Sequence, residues 1–404
     1  MNILQICPRI PAPPSDGGAV YVYYLSKHLA KLGHEVVMAS FVSNKHEQDK
    51  EWMQRYVQLY EIDGGFKPYG LGAVIKSTLA RKPITIHHRM DKKRMGQLLK
   101  KVADEYRNTF DVIFLEGIHT AEFLELTKKY FPGVTILLRQ SNVEYLLLRR
   151  NGEISKNFAL KQFYFDQARL MRGYEKEKMA KVDAVTAITS VDREYYLKDI
   201  PDLECYVSNA GTEIPQLDED MSRNPKEILS ISNWRWSPNF EGLKWFLREV
   251  YPDLIERIPD LTYNIIGAGL NTEFKQQFGQ RGINFLGFVD DLEPYRQSAA
   301  TLIAPLFSGS GMKLKIVEAL ASGLPVITTA IGAEGINLDD NTNYLHAENK
   351  SEFIEQIEKV ISDDTLRDQI SRNARKLAID EYSWDKKAQE MVEIVKQVKK
   401  KTDK

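Results

Sequence analysis

The chain has 404 residues, 43% of them apolar and 27% charged, with a formal net charge of −1. That length suggests two domains, and the near-zero charge excludes a general nucleic-acid binder, which would be strongly basic. Two cysteines, Cys7 and Cys205, are too few for a disulfide framework and make a reducing, cytoplasmic location the default. No run of about 18 apolar residues could cross a membrane, and the N-terminus, MNILQICPRIP, lacks the pattern of a signal peptide.

Strand and helix signals alternate along the chain, which predicts α/β layers with parallel sheets. Asn2–Ile6 reads as the first strand, followed by a Pro/Gly-rich loop to Gly18 and a helix over Ala19–Leu32. Further strands are expected at Glu35–Phe41, Asp111–Leu115, Val134–Leu138 and Asp183–Ile188, with helices over Thr120–Tyr130 and Lys156–Lys181. Around Ser208–Pro225 the composition turns polar, with Gly and Pro, and reads as an interdomain linker. A second series of strands follows at Glu227–Ser232, Leu261–Gly267, Ile283–Gly287, Thr301–Pro305 and Pro325–Thr329. Beyond Asn349 the chain reads as helical. The predicted domains are residues 1–207, joined by a returning helix over 384–404, and residues 208–383. Two doubly wound domains facing each other would place a ligand cleft at the carboxyl ends of their strands.

The stretch Ser308–Glu318, SGSGMKLKIVE, is a glycine-rich turn feeding a helix, and such a helix start can hold an anion on its free N–H groups. On the helical wheel Met312, Leu314, Ile316, Val317, Leu320 and Ala321 cover most of the circumference, while Lys315, Glu318 and Ser322 share one polar strip. A buried helix of this kind holds either an internal ion pair or one side of a ligand site. Gly323 and Pro325 should end it. The loop at Gly17–Gly18 does not fit the dinucleotide fingerprint G-x-G-x-x-G; it is a plain turn, or lets the backbone approach a ligand. Arg235 follows a strand, where a guanidinium suits a diphosphate, or is a surface side chain between Trp234 and Trp236. Glu116 and His119 follow the Asp111–Leu115 strand. Residues 76–107 hold ten Lys/Arg against three Asp/Glu, a solvated face or a surface for an anionic membrane or acceptor. No metal-ligand spacing stands out, and Asp290–Asp291 reads as a helix cap.

Together these segments resemble the retaining GT-B glycosyltransferases of the large family 4, group 1-like, which use nucleotide-sugar donors. The resemblance is carried by WSPN at Trp236–Asn239, IIGAG at Ile265–Gly269, FLGFVDD at Phe285–Asp291, APLFSGSG at Ala304–Gly311, KIVEA at Lys315–Ala319, SGLPV at Ser322–Val326 and GAEG at Gly332–Gly335. More loosely, Gly17–Gly18, Glu116–His119, NVEYLLLRR from Asn142 to Arg150, and Trp384 also fit. It implies two Rossmann-like domains across a cleft, with nucleotide sugar bound by the second and acceptor by the first.

By resemblance, His119, Arg235 and Lys315 are the catalytic groups. Gly17, Gly18, Ser310, Gly311, Met312, Glu318 and Glu334 would contact the donor, with Glu318 on the ribose. Glu116, Asn142 and Arg149 would face the acceptor. Ser310 departs from the family's first glutamate, and Glu334 is the candidate to replace it. No metal or cofactor is expected beyond a UDP- or GDP-sugar co-substrate. The implied acceptor is a saccharide or a lipid-linked molecule in cell-surface polysaccharide assembly. The enzyme would be cytoplasmic, touching the inner face of the membrane through Lys76–Arg107. Alternatives are a GT-B nucleotide-sugar epimerase and a non-catalytic nucleotide-sugar-binding protein.

Overall fold

The computed structural model describes residues 1–14, 16–42, 48–64, 72, 77, 79–106, 109–155, 157–217, 222–309 and 312–402. Contacts divide the chain into two units, Met1–Asn209 with Lys387–Lys404, and Ala210–Lys386.

The first unit is built on seven parallel strands: β1 (Asn2–Cys7), β2 (Glu35–Val42), β3 (Gln58–Asp63), β4 (Val112–Glu116), β5 (Thr135–Arg139), β6 (Ala184–Ala187) and β7 (Cys205–Val207), in the order β3-β2-β1-β4-β5-β6-β7. The inner strands are buried on both faces, so they read as continuous apolar runs rather than alternating ones. Strand order reverses between β1 and β4, with Ile6 beside Leu115 in register. The end of the C-terminal helix returns to this unit, where Lys399 pairs with Asp111 at 2.9 Å and Lys401 with Glu204 at 2.7 Å.

The second unit holds six parallel strands: β8 (Asn224–Ile231), β9 (Thr262–Ile266), β10 (Ile283–Gly287), β11 (Ala299–Ala304), β12 (Val326–Thr328) and β13 (Leu345–His346), in the order β10-β9-β8-β11-β12-β13. Here the order reverses between β8 and β11. Three predicted boundaries shift. The expected linker ends earlier, since Asn224 and Pro225 already belong to β8. The helix expected from the Gly311 turn runs only over Leu314–Ala321, with Lys313 extended at its N-cap, so Met312 lies outside it and packs on the core. Gly17 and Gly18 belong to the first turn of the helix Gly17–Lys31 rather than to the loop before it.

The Leu314–Ala321 helix ends as its sequence requires. Gly323 takes φ +63, and its N–H bonds Leu320 O while Leu324 N–H bonds Ala319 O, both at 2.9 Å. This pairing satisfies carbonyls that a helix end otherwise leaves orphaned. The remaining carbonyls are met by arginines. Arg223 Nη2 donates to Ser322 O at 3.0 Å and Gly323 O at 2.7 Å, and Arg375 Nη1 donates to Ala321 O. The other fork of Arg223 donates to the carbonyls of Arg296, Gln297 and Ala299 at 2.8–3.1 Å, at the end of the helix Glu293–Ser298. One guanidinium thereby fixes two helices against the sheet. Arg223→Met leaves five carbonyls without this donor and should lower the unfolding free energy of the second unit by about 2–4 kcal/mol. Urea denaturation checks this, and a loss below about 0.5 kcal/mol would mean that the carbonyls find other partners.

Candidate functional site

Each unit gathers polar side chains where its strand order reverses, at the carboxyl ends of the central strands, which is where open α/β sheets hold ligands.

In the first unit a cavity of about 180 Å³ opens beyond β1 and β4, lined by Cys7–Arg9, Gly18, Tyr21, Glu116, His119, Arg139–Ser141 and Glu144 among others. The structure thus brings together Gly18, Glu116 and His119. Parallel register sets Glu116 beside Arg139 on β5, and the two buried side chains pair at 2.5 Å. Gln5 Nε2 donates to the same Glu116 oxygen at 3.1 Å, and Ser26 Oγ donates to Gln5 Oε1 at 2.6 Å. The Arg139 guanidinium lies 4.4 Å over the Tyr21 ring. Burial pushes the Glu116 carboxyl up, against the opposing pull of Arg139, and it pushes the Cys7 thiol up as well.

His119 stands in a 3-10 turn over Ile118–Phe123. That turn is pinned to the end of β5, since Gly117 N–H donates to Arg139 O at 2.8 Å and Ile118 N–H to Gln140 Oε1 at 2.9 Å. Gly17 and Gly18 open the helix Gly17–Lys31, whose N-cap Asp16 accepts from Ala19 N–H at 3.1 Å and pairs with Arg9. Glu144 begins the helix Glu144–Ile154, and burial pushes its carboxyl up to about 7.

Two expected acceptor residues fall elsewhere. Asn142 is exposed; its side chain reaches Ser141, and its carbonyl accepts from Tyr196 Oη at 2.9 Å. Arg149 is an exposed surface residue paired with Glu153 at 3.0 Å, one turn along its own helix. The basic stretch is likewise partly consumed. Lys82 and Lys92 both pair with Glu122, at 2.8 and 2.9 Å, and Arg94 pairs with Asp63. Some of residues 76–107 lie outside the described residues. Among the described residues no helix is long and apolar enough to cross a membrane.

In the second unit Lys315 sits in the first turn of the Leu314–Ala321 helix. Its Nζ donates to Ser232 Oγ and Asn239 Oδ1, both at 2.8 Å. Ser232 follows β8, and Asn239 is in the helix Ser237–Trp245. Burial first, and then the nearby Lys313 charge, bring the Lys315 pKa down to about 7. Lys313 is itself buried and pairs with Glu334 at 3.5 Å, and burial lowers its pKa too. One turn on, Glu318 pairs with Arg296, whose other arm holds Glu293 at 2.7 Å. The polar strip therefore does contain an ion pair, but Arg296 is its partner and not Lys315. Arg235 is exposed beyond β8, beside Gly269, while Trp234 turns into the core. Ser310 and Gly311 lie outside the described residues.

Sequence reasoning missed Arg139, Gln140, Glu144, Arg296 and Lys313. Arg139 carried a usable signal, a charge directly after the apolar run Thr135–Leu138, matching Glu116 after Val112–Leu115.

Comparison with known proteins agrees with this architecture. Residues 225–363 match the family described as Glycosyl transferases group 1. An uncharacterized 44.6 kDa protein in the cps region of Klebsiella pneumoniae is 21% identical, over 88% of this chain and 90% of its own. Phosphatidyl-myo-inositol mannosyltransferase of Mycolicibacterium smegmatis is 25% identical, over 82% and 77%. Among solved structures, S. aureus TarM superposes with a TM-score of 0.69 at 12% identity, covering 98% of both chains. HepE of Anabaena, in complex with UDP, gives 0.65 at 14%, covering 98% of this chain and 100% of its own.

The Glu116–Arg139 pair yields a direct test. Glu116→Ala strands a buried guanidinium and should cost about 3–5 kcal/mol of stability in the first unit. Chemical denaturation measures it; a cost under about 1 kcal/mol would show that Arg139 is neutralised by something else.

Proposed function

The chain is a group 1 glycosyltransferase with the GT-B fold, and from that premise we propose that it moves a sugar from a UDP- or GDP-sugar to a saccharide or lipid-linked acceptor. The observation that carries this reading is Lys315, a lysine withdrawn from water at the strand-order reversal of the second unit and held by neutral groups. Ser232 and Asn239 orient its ammonium without cancelling its charge, so an arriving diphosphate meets an uncompensated cation.

Breaking the sugar–phosphate bond builds negative charge on the leaving diphosphate. Lys315, with Arg235 beyond β8, stabilises that charge electrostatically, and the reaction proceeds without a metal and with retention of configuration. Glu318, positioned by Arg296, accepts hydrogen bonds from the ribose. Glu334 orients the sugar ring after exchanging its contact with Lys313. The acceptor is handled by the first unit's cavity, with His119 in its wall. HepE in complex with UDP and glucose supports the nucleotide class, and the cps-region relative supports a setting in surface-polysaccharide assembly.

A thermal-shift screen with UDP, GDP, ADP and CMP tests the donor class, since a ligand of the folded state raises its melting temperature. UDP or GDP should give the largest rise, and Lys315→Met should abolish it; equal shifts in both proteins would remove Lys315 from the site. The pH dependence has a definite sign. With a pKa of about 7, Lys315 is mostly neutral at pH 8, and an anion beside it raises that pKa. Binding should therefore take up close to one proton at pH 8. Affinity should strengthen as the pH falls toward 7 and level off below it. Calorimetry in buffers of different ionisation enthalpy reads this uptake, which Lys315→Met should remove.

Glu334→Gln should slow transfer about tenfold or more in assays run with EDTA, while leaving UDP or GDP affinity near that of the unaltered protein. Unchanged transfer would sink the sugar-orienting role.

A further inference from the structure

We propose that Glu144 is the specificity-determining residue of the first unit's cavity, selecting an uncharged, hydroxyl-rich ring of about one sugar's size and disfavouring an acidic one. This rests on the glycosyltransferase reading and names the chemistry of its acceptor.

The cavity's cations already have partners. Arg139 is matched by Glu116 and Arg9 by Asp16. Asp16 also caps the helix that begins at Gly17, so the dipole end that would draw an anion is met by a carboxylate. Glu144 differs. Its backbone N–H is anchored by Glu175 Oε1 at 2.9 Å, which fixes where the side chain starts. Among the described residues its carboxyl has no hydrogen-bond or ion-pair partner, yet it lines the cavity. The ionisable side chain left over for a ligand is thus an acid.

The opposite chemistry stands close by. Ser141, whose hydroxyl can donate, lines the same cavity, and behind its wall Arg139 Nε and Nη2 and Gln140 Nε2 are covered donors without an acceptor among the described residues. A hydroxyl both donates and accepts. A ring of hydroxyls can therefore supply oxygens to the donor side and protons to Glu144. A carboxylate or phosphate can only accept, and it would face Glu144 as a like charge. The volume of about 180 Å³ equals about six waters, which suits one monosaccharide unit.

The test uses the full chain at pH 8, one unit above the value of about 7 to which burial pushes the Glu144 carboxyl, so that its ionised form predominates. Paired probes, methyl α-glucoside with methyl α-glucuronide and methyl α-galactoside with methyl α-galacturonide, are titrated by saturation-transfer NMR. The neutral member should bind about tenfold tighter or more. Glu144→Gln should narrow that ratio below about threefold, and Glu144→Asp, which keeps the charge, should hold it. Melting temperatures of all three proteins control for folding. Preference for the uronate, no discrimination, a ratio unaltered by Glu144→Gln, or no saturation transfer to either neutral glycoside would each overturn the proposal. UDP and GDP serve as the separating arm. If neither raises the melting temperature, the nucleotide-sugar reading fails, whereas the glycoside ratio reports on Glu144 alone.

Discussion

Reversal of strand order inside each parallel sheet is the constraint on which both sites depend. Crossover helices leave β1 and β4 in opposite directions, as they do β8 and β11, so the loops after those strands diverge and leave a crevice. The residues that fill these crevices are the first polar side chains after buried apolar strands. Glu116 ends β4, Arg139 ends β5 and Ser232 follows β8. Polar groups further back lie under covered sheet faces and are hydrogen-bonded in place, as Gln5 is to Glu116 and Ser230 to Ile303 O.

Placing a charged strip on a buried helix needs a second layer of support. Arg223 donates to five carbonyls at two helix ends, and Arg296 and Ser322 tie the same two helices together through Glu318 and Glu293. Glycine contributes where backbone must lie against backbone. A Cβ on Gly242 would meet Pro305 O at 1.8 Å, so the helix that carries Asn239 can approach the end of β11 only with no side chain there. The Lys315 contact therefore depends on residues that touch no ligand.

Most of this was legible in the sequence, and what was not has a common cause. The ten strands expected from apolar runs are present. The three that were missed, β3, β7 and β13, are all sheet edges. β3 is half solvated, and its polar residues break the apolar run; β7 has three residues and β13 two. Edge strands are kept short and polar, so they lack the signature of the buried interior. At the sites, charges after strands were readable singly, but pairings were not. Glu116 with Arg139 and Glu318 with Arg296 join segments 23 and 22 residues apart, and strand register and helix packing bring them together. Arg149 shows the reverse case, a single charge whose placement the run around it did not reveal. It belongs to a basic, aromatic run, but its helix turns it outward to Glu153.

The two crevices end with opposite electrostatic balances, although their topology is alike. In the first, the arginines are matched by carboxylates and the residue left over is an acid, Glu144. In the second, the partners of Lys315 among the described residues are a hydroxyl and an amide oxygen, and Lys313 pairs with Glu334, to which the sugar-orienting role is given. Neutral partners orient a charge without cancelling it, and burial makes its field stronger than it would be in water. On the proposed reading, the second crevice is thus prepared for an anion and the first for a ligand without charge. That division matches the two substrates of a transferase whose donor is a nucleoside diphosphate sugar and whose acceptor presents a hydroxyl.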